Sequence, residues 1–425
     1  MLRRAGFGAS GPQVDAVVAQ DWATYLDGAL GADPDTDPGA IATPMPVAEV
    51  PPMLDDHASK DEQNALSQTL FAQMQELSGW WIRRVAAVHQ PIHEKLTMVW
   101  HNHFATSAEK VLFAGLMATQ NQKLRALHTG DFQILAHALL TDPAMLLWLD
   151  GIVNIKSAPN ENLSREFMEL FTLGHGGGYT EHDVREAARA LTGWTIGPDH
   201  LPVVNPVNHD TGPKTILGAT GDFGDADFCN LAVDHPTSAP FIATMLWRSL
   251  ASDNAPSQAT LGRLVGAYGP GRDLRALTKS VFLDPDFTPA AGTVVNTPVE
   301  WLVGLIRSLN VPMDSPDVIS ACNAVLHVMG QRPFYPPDVG GWPRGAVWLS
   351  SASVAARIWA ADQTVPLGNI SIVEQAAPTD RVDAAGYLIG IGAWSDSTAA
   401  ALQPLSTDPK RLVAAALNAP EYLTS

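Results

Sequence analysis

Apolar residues recur at helical spacing in one segment after another of this chain, and almost nowhere do they alternate as a half-buried strand requires. The pattern predicts a mainly α, multi-helix globular scaffold with at most a short β-hairpin, expected between Pro202 and Leu217. Candidate helices run from about Pro12 to Leu30, Glu62 to His89, His93 to His103, Leu112 to His128, Phe132 to Leu140, Glu161 to Leu173 and Glu181 to Leu191. Six more follow, from about Ala239 to Leu250, Leu261 to Tyr268, Leu274 to Leu283, Glu300 to Leu309, Pro316 to Met329 and Ser353 to Ala361. With 425 residues, 46% of them hydrophobic, the chain has enough apolar material for one large helical domain over residues 1–425. A low-order Pro-rich insertion is expected at 33–52, and long Gly/Pro-rich loops at 197–228 and 330–350.

The stretch "NENLSREFMELFTLG", from Asn160 to Gly174, carries the sharpest anomaly. At roughly 100° per residue, Leu163, Phe167, Leu170, Phe171 and Leu173 gather on one arc, and Glu166 falls inside it. A carboxylate buried there without partners costs several kcal/mol, so Glu166 is either a hydrogen-bonded structural acid or a site residue. Asn162 and Glu169 lie at the edge of the same arc. Glu161, Arg165 and Glu169, four residues apart in turn, read as an ordinary ion-pair ladder on a solvated face.

Charge narrows the partners. A net −18, from 44 acids against 26 bases, disfavours a nucleic-acid backbone or an anionic membrane surface. No segment reaches the roughly 18 apolar residues of a membrane span. The expectation is a soluble chain, cytoplasmic as written; export with a partner, or loss of an upstream leader, stays open. Cys229 and Cys322 have no CxxC neighbours and read as core thiols.

Six stretches in order, "LRRAGFG", "WHNHFATS", "NENLSREFMELFTLG", "YTEHDVREAARALTGW", "NHDTGPKTILG" and "PPDVGGW", give the chain a specific resemblance to the bacterial domain of unknown function 1800 (DUF1800) family. The resemblance covers nearly the whole chain. It implies a mainly helical fold, and through the family's frequent sulfatase-like neighbours of the DUF1501 family it implies a shared pathway or complex. Where family members carry a short "LGVGNYTE"-like turn, this chain has "LGHGGGYTE".

Several groups are candidates for chemistry. In "NHDTGPK", His209, Asp210 and Lys214 put a proton shuttle, an acceptor and a cation on one segment, although Asp-Thr-Gly is also good turn chemistry. His101 and His103 diverge by roughly 200° on a regular helix, so they share a divalent metal only if the helix ends there; packing of His103 among apolar residues is the plainer reading. "HGGGY" copies the oxyanion-hole motif of lipases, but no GxSxG elbow accompanies it, and a glycine-rich helix end explains it better. Trp194, Trp342 and Trp348 stand beside the loops, where aromatic faces suit sugar rings.

The resulting expectation is a hydrolase acting on a small molecule or a polysaccharide, with no cofactor. Glu166 and Asp210 would be its acid/base carboxylates, with His103 or His209 assisting. Asn162, Arg165, Glu169, Lys214, Trp194 and Trp342 would contact substrate. One alternative is a metal-dependent enzyme with His/Glu ligands. The other is a non-enzymatic binding or export partner of a sulfatase-like DUF1501 protein.

Overall fold

A computed structural model describes residues 1–49, 51 and 58–425. Helices dominate it, and the only sheets among the described residues are two antiparallel two-stranded hairpins. The mainly α class expected from periodicity is therefore what the chain adopts.

Helix Ile92–His103 occupies the centre, and every residue on it except Asn102 is buried. Met98 joins one hydrophobic core, built on helices Lys60–Ala87, Pro298–Ser308, Pro316–Val328 and Pro409–Ala416. Ile92, Leu96, Val99 and Trp100 join a second, built on Phe132–Leu140, Glu181–Ala190, Ser238–Leu250 and Leu274–Leu283, and helix Ala114–Leu127 contributes to both. A helix covered on all sides must satisfy its polar side chains internally.

Glu94 shows how. Its carboxylate accepts from Trp81 Nε1 at 2.8 Å, Arg84 Nε at 2.6 Å, and Arg125 Nε and Nη2 at 2.7 and 2.8 Å. Burial alone would raise its pKa, but Arg125 and Arg84 outweigh burial and hold the carboxyl down at about 2. Arg84 also reaches Asp35 and the Pro34 carbonyl, tying the Pro-rich segment to this network.

That segment is more ordered than its composition suggests. Pro38–Ala42 is a short helix, and the Asp37 carboxylate caps it at Gly39 N while accepting from the backbone of His89 and Gln90. Residues 50 and 52, within the expected insertion, lie outside the described residues.

Other boundaries shift for local reasons. The first expected helix is two, Gly11–Val18 and Trp22–Gly31, because Asp21 caps Thr24 N and starts a new one. The helix expected from Leu112 begins at Ala114, since Leu112 sits at φ 65. The hairpin region holds two hairpins: β1 (Trp194–Ile196) with β2 (Pro202–Val204), and β3 (Lys214–Ile216) with β4 (Ala219–Gly221).

The Glu161–Leu173 prediction changes most. Asn162–Glu166 is α-helical, but Phe167–Thr172 widens to a π turn. The Thr172 hydroxyl donates to the Phe167 carbonyl at 2.6 Å, and Leu173 N donates to Met168 O, five residues back. The ladder through Glu169 is consequently not made. Arg165 instead pairs with Glu161 and, through both guanidinium nitrogens, with Glu181.

Glu94→Gln should destabilise the protein by about 3–5 kcal/mol at neutral pH, because two buried guanidinium groups lose their counter-charge. The sign with pH follows from a folded carboxyl near 2 against an ordinary 4.5. Glu94 contributes fully above pH 4.5, and its contribution fades as pH falls towards 2. Denaturant melts of both proteins across that range should converge; a gap that persists at pH 2 refutes the assignment.

Candidate functional site

The residues singled out by sequence fall into three environments, two of them joined where His103 reaches the Phe171 carbonyl of the π turn. At the π turn, Glu169 accepts from His175 Nδ1 at 2.5 Å and from the Tyr179 hydroxyl at 3.0 Å, and its carboxyl is lowered chiefly by His175. Glu166, expected to be buried, is only half-buried and makes no side-chain hydrogen bond among the described residues. Burial first, and then the neighbouring Glu169 charge, push its carboxyl up. Asn162 donates to Asp150 at 3.3 Å at the start of the same helix.

The "NHDTGPK" loop docks on the C-terminal end of helix Glu181–Ala190. Asp210 takes a two-pronged ion pair from Arg189, at 2.7 and 3.2 Å, and also accepts from Gly212 N. Arg189 in turn holds Glu186, which accepts from Thr215 N on β3. His209 Nδ1 contacts the Thr192 carbonyl at 2.8 Å, and Lys214 is enclosed, donating to Gly212 O. These contacts use the polar groups of the loop to fix its own course, and Trp194 packs half-buried in β1 beside it.

The histidines of "WHNHF" point to opposite sides of their helix, as a regular helix requires. His101 is caged by Trp81, Phe334 and Trp342, whereas His103 is caged by Trp100, Phe104, Phe171 and Phe241. Two rings in separate cages cannot ligate one ion, so the His101–His103 metal pair is withdrawn. Burial pushes His101 down to about 3 and His103 to about 4, so both are neutral at pH 7. With His103 neutral, its Nε2 contact of 2.9 Å to the Phe171 carbonyl is an N–H donation.

Glu166, Asp210, His209 and His103 thus answer to different neighbours. Trp342 is the exception among the expected residues, because it lines a cavity of about 70 Å³ with Lys95, Asn102, Arg248, Asp253, Glu300 and Arg344. Its backbone N–H donates to Asn102 Oδ1 at 2.6 Å. Gly341, at φ 82, lies so close to Asn102 that any Cβ would collide with it. "WHNHF" and "GGW" are therefore keyed together here.

On the cavity wall the Lys95 ammonium, only 5% exposed, pairs with Glu300, whose other oxygen accepts from Thr297 N at 2.7 Å. The Phe7 ring of "LRRAGFG" lies 5.8 Å from Lys95 Nζ. Burial first, and then the nearby Arg4 and Arg344 charges, bring the Lys95 ammonium down to about 7.

Sequence reasoning passed over Lys95, Asn102 and Glu300. Lys95 and Asn102 stand seven apart on one strip of the helix, flanked by Met98 and Val99, which is the same signal that marked Glu166. Glu300 was hidden in a capping box with Thr297.

Fold and site together define a mainly helical scaffold with a charged cavity lined from the central helix and from residues 248–253, 294–300 and 342–345. The chain belongs to the family described as "Protein of unknown function (DUF1800)", which matches residues 1–424. No curated protein and no solved structure matches it.

Proposed function

We propose that the protein is an acid–base enzyme whose reacting centre is the Lys95–Glu300 pair on the cavity wall. The observation that carries this reading is a buried amine and a half-buried carboxylate facing one cavity lined from the central helix and from residues 248–253, 294–300 and 342–345. A lysine in such surroundings exchanges its proton near neutrality, where general acids and bases are most effective. The amine would accept a proton from a bound substrate or water, and Glu300 would hold the ammonium that forms. Hydrolysis is one reaction such a pair serves.

A ¹³C-detected titration of the Lys95 side chain, assigned with Lys95→Gln, should show a midpoint near 7 instead of the ordinary 10.5. Glu300→Gln should move it lower still, since the carboxylate favours the charged amine. A midpoint near 10 sinks the proposal.

A carboxylate-pair hydrolase, with Glu169 in place of the expected Asp210 as partner of Glu166, has a second location, favoured by the opposite shifts of Glu166 and Glu169 at the π turn. Environments that split two carboxyls assign an acid and a base, and the open surface around exposed His175 suits a glycan. Release of reducing sugar from a polysaccharide panel should then vanish in Glu166→Gln without loss of melting temperature. No release by the parent protein, or release unchanged in the variant, ends that reading.

The sulfatase-like DUF1501 partner would find an apolar row on helix Ser351–Thr364, where Val354, Ile358 and Trp359 are 39, 49 and 54% exposed. Co-purification with such a protein should be lost in Trp359→Ser, and retention removes this surface from consideration. Among the described residues no helix is long and apolar enough to cross a membrane.

A further inference from the structure

The cavity over Lys95 is rich in hydrogen-bond donors that the protein itself leaves without acceptors. Asn102 spends its side-chain oxygen on Trp342 N, which leaves its amide N–H groups as the free end. Arg248 and Arg344 are exposed and line the same cavity, and among the described residues neither guanidinium has a hydrogen-bond acceptor. With Lys95 protonated, the three cations Lys95, Arg248 and Arg344 outnumber the carboxylates of Asp253 and Glu300 by one, so the cavity is then locally positive in a chain of net charge −18.

Unused donors and surplus positive charge call for an acceptor that is negatively charged. Size restricts it further. A cavity of about 70 Å³ is far below the roughly 300–1,000 Å³ of sites that enclose drug-sized ligands. It has room for a few waters, or for one head group with the remainder of its molecule outside.

We propose that the cavity binds the oxyanion head group of a small substrate, a carboxylate or a phosphate, between Arg248 and Arg344, with the Asn102 amide N–H groups completing its hydrogen bonds. The proposal rests on the Lys95–Glu300 reading for what happens after binding, but the recognition uses other side chains. Planar guanidinium forks match carboxylate and phosphate oxygens two at a time. Because the whole protein is acidic, attraction over long range is absent and affinity must come from these local contacts. The rest of the substrate would leave through the mouth beside Arg248 and Arg344. This arrangement presents the group next to the acid to Lys95, where an amine can take or give a proton.

Acetate and inorganic phosphate are the probes, each titrated at constant ionic strength and followed by calorimetry and by tryptophan fluorescence. Saturable binding of at least one is expected, with affinity falling about tenfold to a hundredfold in both Arg248→Gln and Arg344→Gln, the loss of a charge-assisted hydrogen bond. Arg185→Gln, on the exposed side of a distant helix, should bind as the parent does. The stronger of the two probes names the head-group class. No saturation by either anion overturns the proposal, as does binding that survives in both variants. Circular dichroism melts of the variants show whether a loss reflects folding, and an unfolded Arg344→Gln is replaced by Arg344→Lys, which keeps charge but removes the fork and should still weaken binding.

The Lys95 titration separates the two ideas. A midpoint near 7 with no anion bound defeats the head-group assignment alone. Arginine-dependent binding with an ordinary lysine midpoint leaves the pocket as a binding site and removes the acid–base reading.

Discussion

The Glu94 carboxylate is the point from which the middle of the molecule is built. It is 1% exposed and receives four hydrogen bonds, from Trp81, Arg84 and Arg125. Both guanidinium groups also lie over the Trp80 ring, at 6.0 and 5.6 Å. An ion pair of this kind adds little net stability compared with an apolar packing, yet it admits only one arrangement, since any shift strands a buried charge. It therefore fixes the rotation of the central helix as well as its position. With Glu94 locked on one side, Lys95 and Asn102 are turned towards the cavity, and His101 and His103 into their aromatic cages.

Adjacent residues on that helix consequently do different work. Glu94 is matched by two cations and stays charged, while Lys95 has one carboxylate, two nearby cations and an open cavity. The first environment holds a charge state firmly, and the second leaves it close to balance. That difference, more than burial itself, separates a structural ion pair from a candidate reacting one. Asp210 belongs with the structural kind, because Arg189, Gly212 and the loop backbone account for its oxygens.

Much of the fold was legible because helical spacing survives without tertiary information: Phe132–Leu140 and Leu274–Leu283 match their expected limits to the residue. Breaks were legible only where a cap was recognised, and Asp21, inside an otherwise continuous pattern, was not. The π turn left no trace in periodicity, because the bond from Thr172 to Phe167 that marks it depends on the surrounding packing. The candidate site was harder. Anomalous polar residues on an apolar arc were the right signal, but it was applied to Glu166 and not to Lys95 and Asn102, whose strip carries the same anomaly. Periodicity reports which faces are apolar and is silent on what covers the polar ones. The Trp81, Phe334 and Trp342 rings that enclose His101 come from elements far apart in sequence.

The wide turn at Phe167–Thr172 also bears on how this segment can vary in length. Such a turn is geometrically one extra residue accommodated within a helix. Excising a single residue there would return the backbone to regular pitch at the cost of the hydroxyl bond of Thr172, and because the wide turn had absorbed the surplus residue locally, the flanking residues would keep their phase. Leu163 and Ser164, buried before the turn, and Phe171 and Thr172, buried within it, face their present neighbours through that local absorption. A one-residue gap is therefore more tolerable inside the wide turn than in the regular helices around it, where it would rotate everything beyond the cut by roughly 100°.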